Sequence, residues 1–166
     1  MWLLAVAGIV AAMFGLTVLV GAPFVPSLRR DVALLFDELK IGPDDAVLDI
    51  GAGDGVVLSA AAARGARAIG VEINPLLVVW ARWRTRHYRQ QVRLIWGDAR
   101  RMKPIEKVTV LYCFGAGPFV NSMAMIARRQ AAAQGMSLRL VSYGFAVPGL
   151  GRERRIGPYK VYTVRG

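Results

Sequence analysis

The segment Val47-Leu48-Asp49-Ile50-Gly51-Ala52-Gly53-Asp54-Gly55 decides the fold. Its apolar first half predicts a short buried strand, and three glycines spaced two apart predict a sharp turn after that strand. The alanine-rich stretch that follows, up to Arg64-Gly65, indicates a helix. Because glycine has no Cβ, this order of strand, glycine turn and helix lets a ligand lie against the backbone.

The glycine spacing distinguishes between kinds of site. A dinucleotide-binding turn needs G-x-G-x-x-G/A, in which the third small residue lets the helix pack close to the strand. Here that position holds Val56, which is bulky and β-branched, and the spacing is Asp49-x-Gly51-x-Gly53-x-Gly55. Taken alone, the triplet is also compatible with an ordinary tight turn.

Length and composition limit the choice of class. A chain of 166 residues is suited to one domain with its own core. The formal net charge of +11 favours anionic partners such as lipid headgroups, nucleic acid or acidic protein faces. Cys113 is the only cysteine, which excludes an intrachain disulfide, and its apolar neighbours indicate a packed side chain. We expect no metal site, because the single histidine, His87, lies among arginines.

Residues 1–22 carry no charged side chain and are apolar on every helical face. About 20 such residues span the hydrocarbon core of a bilayer, so we expect a transmembrane anchor rather than a cleaved signal peptide. Arg29 and Arg30 follow the segment and nothing basic precedes it, which predicts that the remainder lies on the cytoplasmic side or its organellar equivalent. Residues 23–45 would then form a connector and a helix capped by Ser27, and 46–166 the main domain.

Two further acids follow predicted strands. Glu72 comes after Ala66–Val71, and Asp98 comes after Val92–Trp96. Because the carboxyl ends of parallel strands meet at one edge of a sheet, we expect Asp49, Glu72 and Asp98 to lie together.

The rest of the chain predicts three more strands, Val108–Phe114, Leu138–Tyr143 and an antiparallel Lys160–Val164, with a helix from Gly115–Pro118 to Gln134. Pro75 opens another helix that continues to about Arg89. Its first half is expected in the core. Its second half interleaves aromatic residues with arginines, which suits a membrane surface, a nucleic acid or a solvated helix face.

The motif from Asp49 to Gly55 resembles that of class I methyltransferases that use S-adenosylmethionine. A narrower resemblance is to a membrane-tethered family of protein-lysine methyltransferases. This resemblance depends on four segments of the sequence. They are the connector Pro23-Phe24-Val25-Pro26-Ser27, the motif Gly70-Val71-Glu72-Ile73-Asn74-Pro75, the Leu77–Trp80 helix start and Phe114-Gly115. The sequence departs from the family at Leu28, where a proline is usual, and in its carboxyl-terminal part.

The resemblance implies a Rossmann-like seven-strand α/β sheet with helices on both faces, preceded by one transmembrane helix. It implies S-adenosylmethionine as cofactor, with Glu72 on the ribose hydroxyls and Asp98 near the adenine amino group. Phe114 and Tyr143 would line a substrate channel, and no general base is identified. The complete set of implied cofactor contacts is Ser27, Asp49, Gly51, Gly53, Asp54, Gly55, Glu72, Ile73, Asn74, Asp98 and Ala99.

The implied acceptor is a lysine of a protein at or near a membrane, in the bacterial inner membrane or the mitochondrial inner membrane. Nucleic acid is not expected as a partner, since the fourth strand lacks the Asn/Asp-Pro-Pro-aromatic sequence of enzymes that methylate nucleobase or amide nitrogens. Two alternatives remain open on the residues. One is a membrane-bound methyltransferase for lipid or quinone headgroups, and the other is a non-catalytic module that binds acidic lipid or nucleic acid.

Overall fold

The structure, a computed structural model, describes residues 28–114 and 119–166 together with the isolated residues 2 and 8. The predicted anchor at 1–22, Ser27 and the turn at 115–118 lie outside this part of the chain. Within the described residues, no helix combines the length and the apolar character needed to cross a membrane.

Seven strands form one sheet in the order β3-β2-β1-β4-β5-β7-β6. The first five strands are parallel, and β7 runs antiparallel between β5 and β6. This is the seven-strand Rossmann-like sheet that the family resemblance implies. The strands are β1 Ala46–Ile50, β2 Arg67–Glu72, β3 Val92–Trp96, β4 Val110–Cys113, β5 Leu138–Tyr143, β6 Glu153–Ile156 and β7 Tyr159–Val164.

Helices cover both faces of the sheet, as expected. They are α1 Arg29–Glu38, α2 Val56–Ala62, α3 Pro75–Arg84 and α4 Phe119–Gln134, with a 3-10 turn at Arg86–Tyr88. One apolar cluster joins α1 and α2 to the sheet through Phe36 and Leu58. A second cluster joins α4 to the opposite face through Met123 and Ile126. The central strands β1 and β4 are buried along their whole length, which matches their nearly continuous apolar sequence.

Close packing of α2 against the sheet depends on Gly70 in the middle of β2. A Cβ placed there would lie 2.6 Å from Leu58 Cδ1, 2.9 Å from Ala52 Cβ and 3.0 Å from Leu94 Cδ2. In a dinucleotide motif the third small residue of the turn allows this close packing. Here Gly70, in the neighbouring strand β2, has that role.

Some elements differ from the prediction. Strand β6 was missed, because its sequence Glu-Arg-Arg-Ile has no apolar alternation at the sheet edge. Helix α3 ends at Arg84 rather than near Arg89, since Thr85 occupies the C-cap and its hydroxyl donates to Ala81 O at 2.8 Å. Strand β4 is shorter than 108–114. The N-cap of α1 is Leu28, so the predicted cap at Ser27 is one residue too early.

The first half of α3 is only partly core. Leu77, Val78 and Ala81 are buried, whereas Val79 and Trp80 are exposed.

Candidate active site

The glycine turn sits at the carboxyl end of β1 and is held by the neighbouring strand. Gly51, Gly53 and Gly55 all have positive φ, at 85°, 53° and 79°, a conformation that L side chains rarely adopt. The N–H groups of Gly51 and Ala52 donate to Val71 O at 2.8 and 3.1 Å. A Cβ on Gly51 would meet nothing within 4 Å, so the turn is open on that side. A ligand can therefore approach the backbone here.

Glu72 joins the two segments of the site. Its side chain is buried, and Oε2 accepts a hydrogen bond from Gly53 N at 2.9 Å while Oε1 accepts one from Asn74 N at 2.8 Å. Each carboxylate oxygen keeps a second lone pair, which leaves acceptor capacity for the hydroxyls of a bound ligand. Glu72 thus positions the glycine turn, a role that the sequence did not reveal, and its predicted contact with ribose stays a prediction.

Asp49 is the most buried acid of the site, with 2% of its surface exposed. Within the described residues no donor hydrogen-bonds to its oxygens. Burial raises the pKa of Asp49 well above its usual value, and the nearby charges of Glu72 and Asp54 add to the shift. A ligand that brings a positive charge or an N–H donor to this carboxyl would relieve both the desolvation and the repulsion.

Asp54 and Asn74 shape the ends of the neighbouring helices. Asp54 Oδ2 accepts from Arg84 NH2 at 2.8 Å, which ties the glycine turn to the last residue of α3. Asn74 Oδ1 accepts from Leu76 N at 2.9 Å and so caps α3. Asn74 Nδ2 is buried and has no hydrogen-bond partner among the described residues.

Asp98 follows β3 and is linked to the same edge, because Gly97 N donates to Glu72 O at 2.9 Å. Its carboxylate is paired with Arg100, whose NH2 lies 2.8 Å from Oδ2. Hydrogen bonds from Arg100 lower the pKa of Asp98, so this acid is ionised at neutral pH. Ile73 is half-buried and Ala99 is packed in the core. The predicted contacts of these three residues with the cofactor stay predictions.

Aromatic side chains line the other half of the edge, at the carboxyl ends of β4 and β5. Phe114 and Tyr143 stack with ring centroids 4.5 Å apart, and Tyr159 meets Tyr143 edge-on at 5.2 Å. Burial raises the pKa of Tyr159 to about 12, so its hydroxyl stays protonated. Tyr159 was missed by sequence reasoning, because it reaches the site only through the antiparallel register of β7 with β5.

The structure thus brings Asp49, Glu72 and the glycine turn together, with Asp98 on the adjoining strand end. The arrangement fits a cationic, adenosyl-type cofactor: the turn is open, and within the part of the chain that the structure describes, Asp49 has no donor and Asn74 Nδ2 has no acceptor. Ser27 lies outside the described residues. Among the described residues, no group of three or more His, Cys, Asp or Glu could hold a metal ion.

Comparison with known families identifies the domain that contains this site. The sequence model of the ANTKMT methyltransferase domain matches residues 49–154, which is more than half of the chain. The chain belongs to this family. The family is described as a methyltransferase domain.

Curated relatives carry a more specific name. The chain is 44% identical over 64 residues to a lysine N-methyltransferase of Rattus norvegicus that is named for an ATP synthase subunit, and 40% identical over 62 residues to the Homo sapiens enzyme of the same name. These matches cover 37% of this chain, and only 28% and 26% of the two relatives. The chain thus spans little more than a quarter of the length of the curated relatives it matches.

Solved structures show the same fold. An RNA methyltransferase from Salinibacter ruber in complex with S-adenosyl-L-homocysteine aligns with a TM-score of 0.70 and 25% identity, covering 84% of this chain and 92% of that one. A SAM-dependent methyltransferase from Thiobacillus denitrificans, also with S-adenosyl-L-homocysteine, aligns with a TM-score of 0.59 and 27% identity, covering 74% and 49%. Both complexes contain the demethylated product of the cofactor.

Proposed function

We propose that this chain transfers the methyl group of S-adenosylmethionine to the side-chain amine of lysine, in a protein at or near a membrane. The observation that carries the proposal is membership of the ANTKMT methyltransferase domain family, supported by relatives named as lysine N-methyltransferases. The cofactor supplies the electrophilic methyl group, and the chain's own residues supply binding, orientation and a dry channel. Asp49, Glu72 and Asp98 would hold the cofactor beside the glycine turn.

The aromatic cluster suits a lysine acceptor. A free lysine has a pKa near 10.4, so releasing its proton at pH 7 costs roughly 4–5 kcal/mol. An apolar channel lowers this cost, because burial disfavours the charged form of an amine. Phe114 and Tyr143 present stacked rings at the carboxyl ends of β4 and β5, next to the strand that carries Asp49. Desolvation of the lysine amine between these rings would favour its neutral form, so the amine can lose its proton to water before methyl transfer without a dedicated general base.

Labelled-methyl transfer tests this proposal directly. The full chain is incubated with S-adenosylmethionine labelled in its methyl group and with membranes from cells that lack the chain. Protein and lipid are then separated by solvent extraction, and labelled peptides are identified by mass spectrometry. We expect the label on lysine side chains of membrane proteins, and less of it with the Asp49→Asn variant at a limiting cofactor concentration. Label in the lipid or quinone fraction would instead identify a headgroup methyltransferase and overturn the lysine proposal.

We further propose that residues 1–22 anchor the chain in the bilayer, with the methyltransferase domain on the cytoplasmic or matrix side. The support is the sequence: the segment carries no charge, and Arg29 and Arg30 follow it closely. Resistance to alkaline extraction, together with protease access from the cytoplasmic side only, is the expected result. Release by alkali would contradict the anchor.

A further inference from the structure

Helix α3 presents an apolar face to solvent in addition to the one it buries. Leu77, Val78 and Ala81 are packed inside the domain. Four other apolar residues, at the i, i+3, i+4 and i+7 spacing of one helical face, are exposed. They are Leu76, Val79, Trp80 and Trp83, of which Val79 is 64% and Trp83 63% exposed. A helix that is apolar all round is normally buried, so this face indicates an interaction surface.

Trp96 extends the same surface from the sheet. It is the last residue of the edge strand β3 and is 66% exposed. Its Nε1 donates to Ile73 O at 3.0 Å, which holds the indole beside the start of α3. We call Leu76, Val79, Trp80, Trp83 and Trp96 the tryptophan face.

The segment that carries the tryptophan face has charged side chains of one sign. Residues 73–97 contain no aspartate or glutamate but include five arginines, Arg82, Arg84, Arg86, Arg89 and Arg93. Arg84 pairs with Asp54, whereas the other four are exposed. The guanidinium of Arg86 lies 4.7 Å from the ring centroid of Trp83. Indole rings with adjacent arginines are the combination that lies at a bilayer interface, where the arginines meet anionic headgroups.

We propose that the tryptophan face inserts into the headgroup region of an anionic bilayer. Because α3 begins at Pro75, directly after Glu72 and Asn74, the inserted face would hold the carboxyl edge of the sheet against the membrane surface. The domain would then keep a fixed orientation on the membrane, with its site accessible to a methyl acceptor near the bilayer. A lipid surface suits the face better than RNA does, since the aliphatic Leu76 and Val79 cannot stack on bases.

Tryptophan quenching in vesicles tests this inference with the full chain. A variant with Trp2, Trp80 and Trp96 replaced by phenylalanine keeps Trp83 as the single tryptophan. It is reconstituted into vesicles of phosphatidylcholine and phosphatidylglycerol, with or without bromine on the acyl chains. Interfacial helices bury their apolar face about 5–10 Å deep, so we expect Trp83 to lose more than about half of its emission to the brominated lipid.

The matched control moves the tryptophan to the opposite edge of the sheet. All four tryptophans become phenylalanine and the exposed Met136, in the turn before β5, becomes tryptophan (M136W). Its emission should be unchanged by brominated lipid. Replacing Arg82, Arg86 and Arg89 by glutamine should reduce the quenching of Trp83. Equal emission loss at both positions, or quenching of Trp83 by an RNA oligonucleotide but not by lipid, would overturn the proposal.

The unaltered chain provides a second readout, independent of the substitutions and of methyl transfer. Hydroxyl-radical labelling of Trp83 and Trp96 should fall when the chain moves from detergent to anionic vesicles, while labelling of Met136 stays constant. Unchanged labelling of both tryptophans would contradict the inference even if lysine methylation were demonstrated.

Discussion

At the scale of single residues, the site is organised by acids in unlike surroundings. Asp49 is buried with a raised pKa, whereas Asp98 is paired with Arg100 and has a lowered pKa. Glu72 sits between them and is occupied by two backbone amides. These differences indicate separate roles. Asp49 is suited to bind a positively charged group of a ligand, and Glu72 positions the glycine turn beside that ligand.

The raised pKa of Asp49 determines how the stability of the fold and the affinity for a ligand change with pH. Protonated Asp49 contributes stability that is fully present below the ordinary aspartate pKa, near 3.9, and is lost as pH rises through the raised value. Ligands that favour the ionised form should therefore bind more tightly as pH rises through that same interval. Calorimetric titration with S-adenosylmethionine at several pH values should show rising affinity with proton release. A flat profile would contradict a cationic partner for Asp49.

Replacing Glu72 by alanine should affect both stability and binding. The N–H groups of Gly53 and Asn74 would lose their acceptor, and an unsatisfied buried group costs about 1–3 kcal/mol. We expect a lower unfolding temperature and an affinity for the cofactor weaker by about 1–3 kcal/mol. Thermal unfolding and calorimetry measure the two effects. The control is Glu106→Ala, an exposed acid in the loop before β4, which should change neither.

At the scale of elements, the packing of α2 on the sheet depends on the absence of one side chain. Replacing Gly70 by alanine would force Cβ against Leu58, Ala52 and Leu94. Because Ala52 lies in the glycine turn and cannot move freely, we expect overpacking to destabilise the fold by about 1–3 kcal/mol. Chemical denaturation measures the change. Gly42→Ala is the control, since nothing lies within 4 Å of a Cβ there, and an equal loss of stability in both variants would refute the packing argument.

The long loop between β3 and β4 is fastened to α4 by two glutamines. Gln130 Oε1 accepts from Ile105 N at 2.9 Å, and its Nε2 donates to Ile105 O. Gln134 repeats this pattern on Val108, at 3.1 and 2.8 Å. Each side-chain amide thus pairs with both the N–H and the C=O of one loop residue, as a neighbouring strand would do. The loop includes Asp98 near its start, so this attachment also stabilises one wall of the site.

Loss of the Gln130 amide should loosen that loop. Gln130→Ala leaves the partly buried N–H and C=O of Ile105 without these partners, which costs up to about 1–3 kcal/mol for each group. We expect a lower unfolding temperature and faster amide exchange at Ile105. Asn121→Ala, an exposed change on the same helix, should leave both unchanged. Slow exchange at Ile105 in the Gln130 variant would show that the loop is held by other contacts.

The sequence predicted those features that depend on local pattern. Asp49, Glu72 and Asp98 were located because each lies at or just after the carboxyl end of an apolar strand, and parallel strands share a carboxyl edge. Tyr159 and β6 were not found, since both depend on how the chain folds back antiparallel after β5. The double hydrogen bond of Glu72 depends on the side-chain direction, which periodicity does not give. The exposed face of α3 was mistaken for core because apolar residues lie on both sides of the helix.

At the scale of the whole molecule, the two edges of the sheet have different roles. At the amino edge, Asp45 accepts from Thr109 Oγ1 at 2.6 Å and from Arg139 NH2 at 2.7 Å, which joins β1, β4 and β5. At the carboxyl edge, the same strands end in the glycine turn and the aromatic rings. Among the described residues, this binding edge retains an acid without a hydrogen-bond donor, Asp49, and an amide nitrogen without an acceptor, Asn74 Nδ2.

The central claim is that the carboxyl edge binds S-adenosylmethionine through the buried carboxyl group of Asp49, and Asp49→Asn tests it most directly. The change is isosteric, and it removes a charge that burial disfavours. Calorimetry should therefore show affinity for S-adenosylmethionine reduced by about 1.5–3 kcal/mol, roughly tenfold or more, while thermal unfolding of the free protein shows equal or higher stability. Unchanged affinity in a folded Asp49→Asn variant would contradict the account.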